Sequence, residues 1–256
     1  MNTKGGVGKT TTAVNLAAAL AASRRRILLV DLDSQASASL WCGVRRERLQ
    51  PSSADCLLHE YPIDRAVRRT ATPNLDLVVA SAELANADVA LCDVPGRETT
   101  LRRVLRPIRQ RYDILMLDCP PSLSLIAVNA LTAADALVVP ITPHYLAVEG
   151  LVSLLQSVTQ VRARLGSRAR VLGILLTMIG ARDANASKLR ARIRAEYRER
   201  VFRTEIGLST ALAQAPAAGK TIFAAAPRSS AAEGFRRLAG EVVERLGVGA
   251  LRAASI

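Results

Sequence analysis

The sequence predicts an α/β fold, a mainly parallel sheet with helices on both faces, and three observations predict it. Short apolar runs alternate with longer helical stretches along the 256 residues. Two of those runs, Ile27-Leu28-Leu29-Val30 and Ile114-Leu115-Met116-Leu117, each deliver an aspartate at the carboxyl end. A glycine-rich segment, Thr3-Lys4-Gly5-Gly6-Val7-Gly8-Lys9-Thr10-Thr11, opens directly onto an Ala/Leu-rich stretch.

In chain order, that Ala/Leu stretch predicts a helix over 10–22, and Ile27–Asp31 is a buried strand. Residues 42–70, rich in Arg, Pro and Ser, are the least regular part. Further strands are expected at Leu75–Ala80, Asp113–Asp118, Ala136–Ile141, Val171–Thr177 and Val201–Ile206, each a short apolar run. Helices are expected near 97–110, 122–133, 147–165, 185–199 and 231–246. In the fifth of these six helices Leu189, Ile193 and Tyr197 recur every four residues as a core stripe. With half its residues apolar and no internal repeat, the chain is expected to form one domain over 1–256.

The glycine-rich segment carries the chemistry. Gly5, Gly6 and Gly8 let successive backbone N–H groups turn inward around phosphate oxygens. Lys9 then reaches the β/γ-phosphates, Thr10 offers a hydroxyl to Mg²⁺, and the helix that follows adds its positive end at Thr11. Only Lys4, Lys9, Lys188 and Lys220 are lysines among 35 basic residues, so two of four fall within one nine-residue loop. A compact ammonium suits a phosphate cradle better than a guanidinium fork. The implied ligands are a nucleoside triphosphate and Mg²⁺, and the fold is that of a P-loop NTPase.

Ligands of open α/β sheets gather at strand carboxyl ends. Asp33, just past the first strand, is placed to position an attacking water or the metal's water shell; its alternative role is to cap the next helix. Asp118 ends the second strand and would polarise Mg²⁺.

The loop departs from the usual G-x-x-x-x-G-K-[ST] pattern, with Thr3 at the first glycine position and Lys4 after it. In this it resembles the deviant-Walker ATPases: ParA-type partition proteins, MinD, the nitrogenase iron protein and the arsenite-pump ATPase. Val30-Asp31-Leu32-Asp33-Ser34-Gln35, Asp118-Cys119-Pro120-Pro121-Ser122, Asn129–Ala133, Leu176-Thr177-Met178 and Pro216 with Gly219-Lys220 extend the likeness to the small chromosomal ParA/Soj branch across the chain. The resemblance implies an ATP hydrolase with catalytic Lys4, Lys9, Asp33 and Asp118, and ATP contacts from Lys4 to Thr11 and from Pro216. Metal contacts would fall to Thr10, Asp33 and Asp118. It implies that Lys4 crosses a dimer interface to the partner's phosphates. It further implies an ATP-bound sandwich dimer that holds double-stranded DNA without sequence preference, and a ParB-type partner that stimulates hydrolysis and release.

A net charge of +13 favours a polyanionic partner, and 3% aromatic residues argue against stacking on single strands. Arginines crowd residues 162–203, and Arg182, Lys188, Arg190, Arg194 and Arg203 are the candidate DNA contacts, Arg182 by resemblance. The family's Pro-Arg-Asn-x-Arg segment is replaced by Gly207-Leu208-Ser209-Thr210-Ala211, so two arginines expected there are absent. With no signal peptide and no apolar run near the roughly 18 residues of a membrane span, a cytoplasmic, nucleoid-associated protein is expected. Cys42, Cys56, Cys92 and Cys119 lack metal or disulfide spacing and read as small buried residues.

Only Met1 and Asn2 precede the loop, where a buried strand of about half a dozen residues is needed. The first strand is expected to be truncated, with the natural start upstream or the chain a fragment. Two other readings stay open. One is a MinD-like ATPase cycling on membranes through its C-terminal helix, although Glu241 and Glu244 would face the lipid and core packing explains the stripe. The other is a truncated, inactive paralogue.

Overall fold

Near-continuous apolar runs make strands that bury both faces, and that is how β1 (Ile27–Asp31), β3 (Leu75–Val78) and β4 (Ile114–Asp118) are built. The computed structural model describes residues 6–122, 124–180, 184–247 and 254–255. With β2 (Arg68–Arg69), β5 (Ala136–Ile141), β6 (Arg170–Ile179), β7 (Val201–Gly207) and β8 (Ala254–Ser255), the described strands form one sheet in the order β2-β3-β1-β4-β8-β5-β6-β7. Every pairing is parallel except β2 with β3.

Alternation along the strands divides the core between the two faces. Leu28 and Val30 of β1 join Leu115 and Leu117 of β4 on one face, where helices α7 (Leu125–Ala133) and α8 (Tyr145–Leu165) lie and Ile193 of α9 (Ala184–Tyr197) is fully buried. Ile27, Leu29, Ile114 and Met116 face the other way, against Leu16 and Leu20 of α1 (Lys9–Ala22) and Phe235 of α12 (Ser230–Leu246). Phe235 is wholly buried. Phe235→Ala is expected to lower stability by about 3–5 kcal/mol, read from urea unfolding.

The shorter elements occupy the region read as irregular and the flanks of the sheet. They are α2 (Ser37–Trp41), α3 (Ser53–Leu58), α4 (Ile63–Ala66), α5 (Ala87–Ala90), α6 (Thr100–Leu105), α10 (Thr210–Gln214) and α11 (Ile222–Ala225). The single helix expected over 97–110 is broken into α6 and two flanking 3₁₀ turns, at Arg97–Thr99 and Arg109–Arg111. Pro107 lies in the gap and cannot continue a helix.

Two features differ from expectation. Between β4 and β5 the sheet takes in β8, from the far end of the chain, with Met116 opposite Ala254 on one side and Ala136 opposite Ala254 on the other. This slot lies beneath α1, which packs on β1, β4 and β5. In α12, Glu241 does not face outward: it is 5% exposed and accepts hydrogen bonds from the backbone N–H of Arg203 at 2.7 Å and of Thr204 at 3.1 Å. Burial works against its carboxylate, but those bonds and Arg245 hold its pKa below the ordinary value. The apolar stripe of α12 is therefore core.

Candidate nucleotide site

The phosphate loop ends in a glycine that takes a conformation closed to other residues. Gly8 has φ +84° and precedes Lys9, the first residue of α1; Gly6 also has positive φ, at +78°. Val7 between them is buried, and its carbonyl accepts the Thr177 hydroxyl at 2.9 Å, pinning the loop to the end of β6. Farther along α1, buried Asn15 accepts the Ile222 N–H at 2.8 Å and donates to Thr11 O at 2.8 Å. Loop, helix and sheet edge are thus held as one unit, with the first-turn N–H groups of α1, which have no acceptor within the helix, at the end of the glycine loop. Thr10 is half-buried in the first turn of α1. Lys4, Gly5 and Arg182 lie outside the described residues.

Parallel pairing of β1 with β4 sets Asp31 opposite Asp118. Both are fully buried. Asp31 is satisfied: its carboxylate accepts Ser39 N–H at 2.8 Å, Ser39 Oγ at 2.7 Å and Asp33 N–H at 3.2 Å. Asp118 is not, because neither of its carboxylate oxygens has a partner of full hydrogen-bond geometry. The Thr10 hydroxyl and the Lys9 ammonium favour its charged form, yet burial, Asp31 and Asp33 push its pKa well above the ordinary range. Lys9, only 7% exposed, lies close to Asp118 and Asp33; burial lowers its pKa and the two carboxylates oppose that. Asp33 is half-buried, and its Oδ1 accepts the Gln35 N–H at 3.0 Å. It does not cap α2, whose N-cap is Ala36 without a side-chain bond. Two buried carboxylate oxygens without a partner of full hydrogen-bond geometry, beside a threonine hydroxyl at a phosphate loop, are a donor set suited to a hard divalent cation. Thr10, Asp33 and Asp118 are the residues that would hold Mg²⁺.

Asp31 is the member of this group that sequence reading assigned only to the strand. Its part depends on strand register and on Ser39, which comes eight residues later and also accepts the Ala80 N–H at 3.0 Å. Burial, opposed by the Ser39 bonds, pushes the Asp31 carboxyl up to about 6. A carboxyl with a raised folded-state pKa stabilises the fold fully below its unfolded value, and that contribution is lost as pH rises through about 6. Without nucleotide, the protein is expected to lose on the order of 2 kcal/mol from this group between pH 4 and pH 7, with Asp118 acting in the same direction. Urea midpoints at pH 4.0 and 7.0 check this, and Asp31→Asn should flatten part of the difference.

Beside Gly8 and Thr11 a cavity of about 160 Å³ is lined by Thr177, Met178, Leu208 and Leu212. Pro216 does not line it; it lies half-buried in a 3₁₀ turn, Ala215–Ala218, near the Trp41 Nε1–H that donates to Lys220 O at 2.8 Å. The candidate DNA contacts are differently placed. Arg190 and Arg194 are ion-paired to Glu205 at 3.2 and 2.6 Å, and Arg203 to Glu244 and Glu241. Lys188 is exposed, with no ion pair among the described residues. Cys92 is exposed, not buried as expected; the other three cysteines are buried or half-buried, and no His/Cys/Asp/Glu metal cluster occurs among the described residues. No described helix is long and apolar enough to cross a membrane.

The AAA domain family AAA_31 matches residues 1–171. The chromosome-partitioning ATPase Soj of Thermus thermophilus is 47% identical over 250 residues, 96% of this chain and 94% of the relative. The sporulation initiation inhibitor protein Soj of Bacillus subtilis is 39% identical over 94% of this chain and 95% of its own length. Among solved structures, a cobyrinic acid a,c-diamide synthase from Mycobacterium smegmatis with bound ADP and magnesium superposes with a TM-score of 0.81 at 30% identity, covering 94% of this chain and 90% of that one. A phosphate loop that feeds α1, paired strand-end carboxylates and nearly full-length identity to Soj lead to one conclusion: the chain belongs to the ParA/Soj family of P-loop ATPases.

Proposed function

We propose that this chain is a Mg²⁺-dependent ATPase of DNA partitioning, in which ATP closes two copies face to face across their phosphate loops. The closed dimer holds duplex DNA without sequence preference, and hydrolysis, stimulated by a ParB-type partner, releases it. The observation that carries the nucleotide half of this reading is the Asp118 carboxylate, buried without a partner of full geometry between Lys9 and Thr10 at the mouth of the glycine loop. Magnesium bound there would neutralise charge developing on the phosphate oxygens. Lys9 holds the β/γ-phosphates, Asp33 orients the attacking water, and the cavity beside Gly8 and Thr11 takes the base. The partitioning half rests on identity to the Soj proteins and on the net charge of +13. The burial of the α12 stripe speaks against membrane cycling through that helix.

The test is binding to a sequence-scrambled duplex with ATP, with ADP and without nucleotide, over a salt series. ATP-dependent, salt-sensitive binding is expected; equal binding in all three states at every salt concentration would remove the switch from this reading. Lys4→Ala is expected to bind ATP with little change yet fail to dimerise, measured by light scattering with ATP and Mg²⁺. Dimerisation at the wild-type level would end the proposed role of Lys4.

A further inference from the structure

Among the described residues, the loops that feed parallel strands enter at the amino edge of the sheet, opposite the phosphate loop, and most of these loops carry arginine. Arg24 and Arg26 precede β1, Arg111 precedes β4, Arg168 precedes β6, and Arg198 and Arg200 precede β7. At the β2–β3 turn, Arg69 joins Arg26 and Arg111 around a cavity of about 350 Å³. Arginines from Arg24 to Arg200, far apart in sequence, are thus brought to one edge by the strand order β2-β3-β1-β4-β8-β5-β6-β7.

The acids on this edge are few and mostly engaged. Asp113 is paired with Arg26 at 2.8 Å and Asp135 with Arg109 at 2.7 Å, while Asp76 accepts the Tyr112 hydroxyl at 2.8 Å. Glu199 is exposed between Arg198 and Arg200. In contrast, Arg24, Arg69, Arg111, Arg168, Arg198 and Arg200 are exposed and make no ion pair among the described residues. Helix carboxyl ends also lie here and attract cations, but one basic residue per helix end would answer that dipole. The edge carries more than that, and it is free while Arg190, Arg194 and Arg203 are held by carboxylates.

We infer that the amino edge is a second face for duplex DNA, separate from the nucleotide-controlled one. Eight strands spaced by about 4.8 Å make an edge roughly 34 Å long, about one turn of B-DNA. Guanidinium forks suit phosphate oxygens, and the scarcity of aromatic residues disfavours single strands. Because this edge lies across the sheet from the phosphate loop, its binding is expected without dimer closure, weak and strongly salt-dependent. The inference rests on the DNA reading above but assigns it a different surface and a different nucleotide dependence.

The experiment compares the wild type with a variant carrying Arg111→Gln, Arg168→Gln, Arg198→Gln and Arg200→Gln. A control loses the same charge elsewhere, through Arg45→Gln, Arg46→Gln, Arg228→Gln and Arg237→Gln. A labelled 30-base-pair scrambled duplex is titrated with ADP, with ATP and without nucleotide over a salt series. The wild type is expected to bind with ADP at low salt. The amino-edge variant should bind at least about tenfold more weakly, with the log–log salt slope smaller by about 3 to 4, while ATP turnover without DNA is unchanged. Equal losses in the control and the edge variant, or no loss in either, would overturn the second face while leaving ATP-dependent binding standing. A wild type that binds no DNA in any state would overturn both.

Discussion

Lys9→Ala is expected to weaken ATP binding by about 100- to 1,000-fold and to bring hydrolysis to background, measured by fluorescent-nucleotide titration and phosphate release. The magnitude follows from position as well as charge. Lys9 is 7% exposed and opens α1, so in the proposed role its ammonium would meet the phosphates in a site largely closed to water, where each charge-assisted contact is strengthened. Removing it also takes away a positive charge that offsets Asp118 and Asp33, so a polyanionic ligand would meet more repulsion from those carboxylates. Circular dichroism should show the fold retained. Near-wild-type affinity in a folded Lys9→Ala protein would place the phosphates elsewhere.

Asp118→Asn is expected to move activity and stability in opposite directions. Turnover should fall about 100-fold or more, because an amide cannot hold the Mg²⁺ shell as a carboxylate does. The nucleotide-free protein should become more stable by about 1–3 kcal/mol at pH 7.5, because a buried carboxylate disfavoured by burial and by Asp31 is replaced by a neutral amide. A single variant that melts higher and does not turn over ATP separates a functional carboxylate from a structural one. If Asp118→Asn melts lower and keeps its activity, Asp118 belongs to the scaffold.

How far the sequence reveals this site depends on how local the chemistry is. Gly8, Lys9 and Thr10 are legible because the loop, the helix start and the phosphate contacts occupy consecutive residues. Asp33 and Asp118 are legible because each follows an apolar strand whose carboxyl end must lie at the ligand edge. Asp31 is harder to read, since its place depends on the register that sets it against Asp118 and on the later Ser39. The arginines of α9 are only partly legible. Helical spacing correctly makes Ile193 core, but the partner of Arg190 and Arg194 is Glu205, on a neighbouring strand that periodicity does not connect to them. Glu241 looks like a surface acid in a helical wheel for the same reason; its partners are the backbone N–H groups of β7.

Strand β8 bears on how the molecule can be handled. It runs parallel to β4 and β5, with Ser255 opposite Leu117, one residue before Asp118 at the carboxyl edge of the sheet. Because Ser255 sits in mid-sheet opposite Leu117, a fluorescent protein or affinity handle fused to this end of the chain is expected to crowd the candidate nucleotide site. Imaging and pull-down probes are better inserted at the exposed turn around Gly96, which lies outside the sheet.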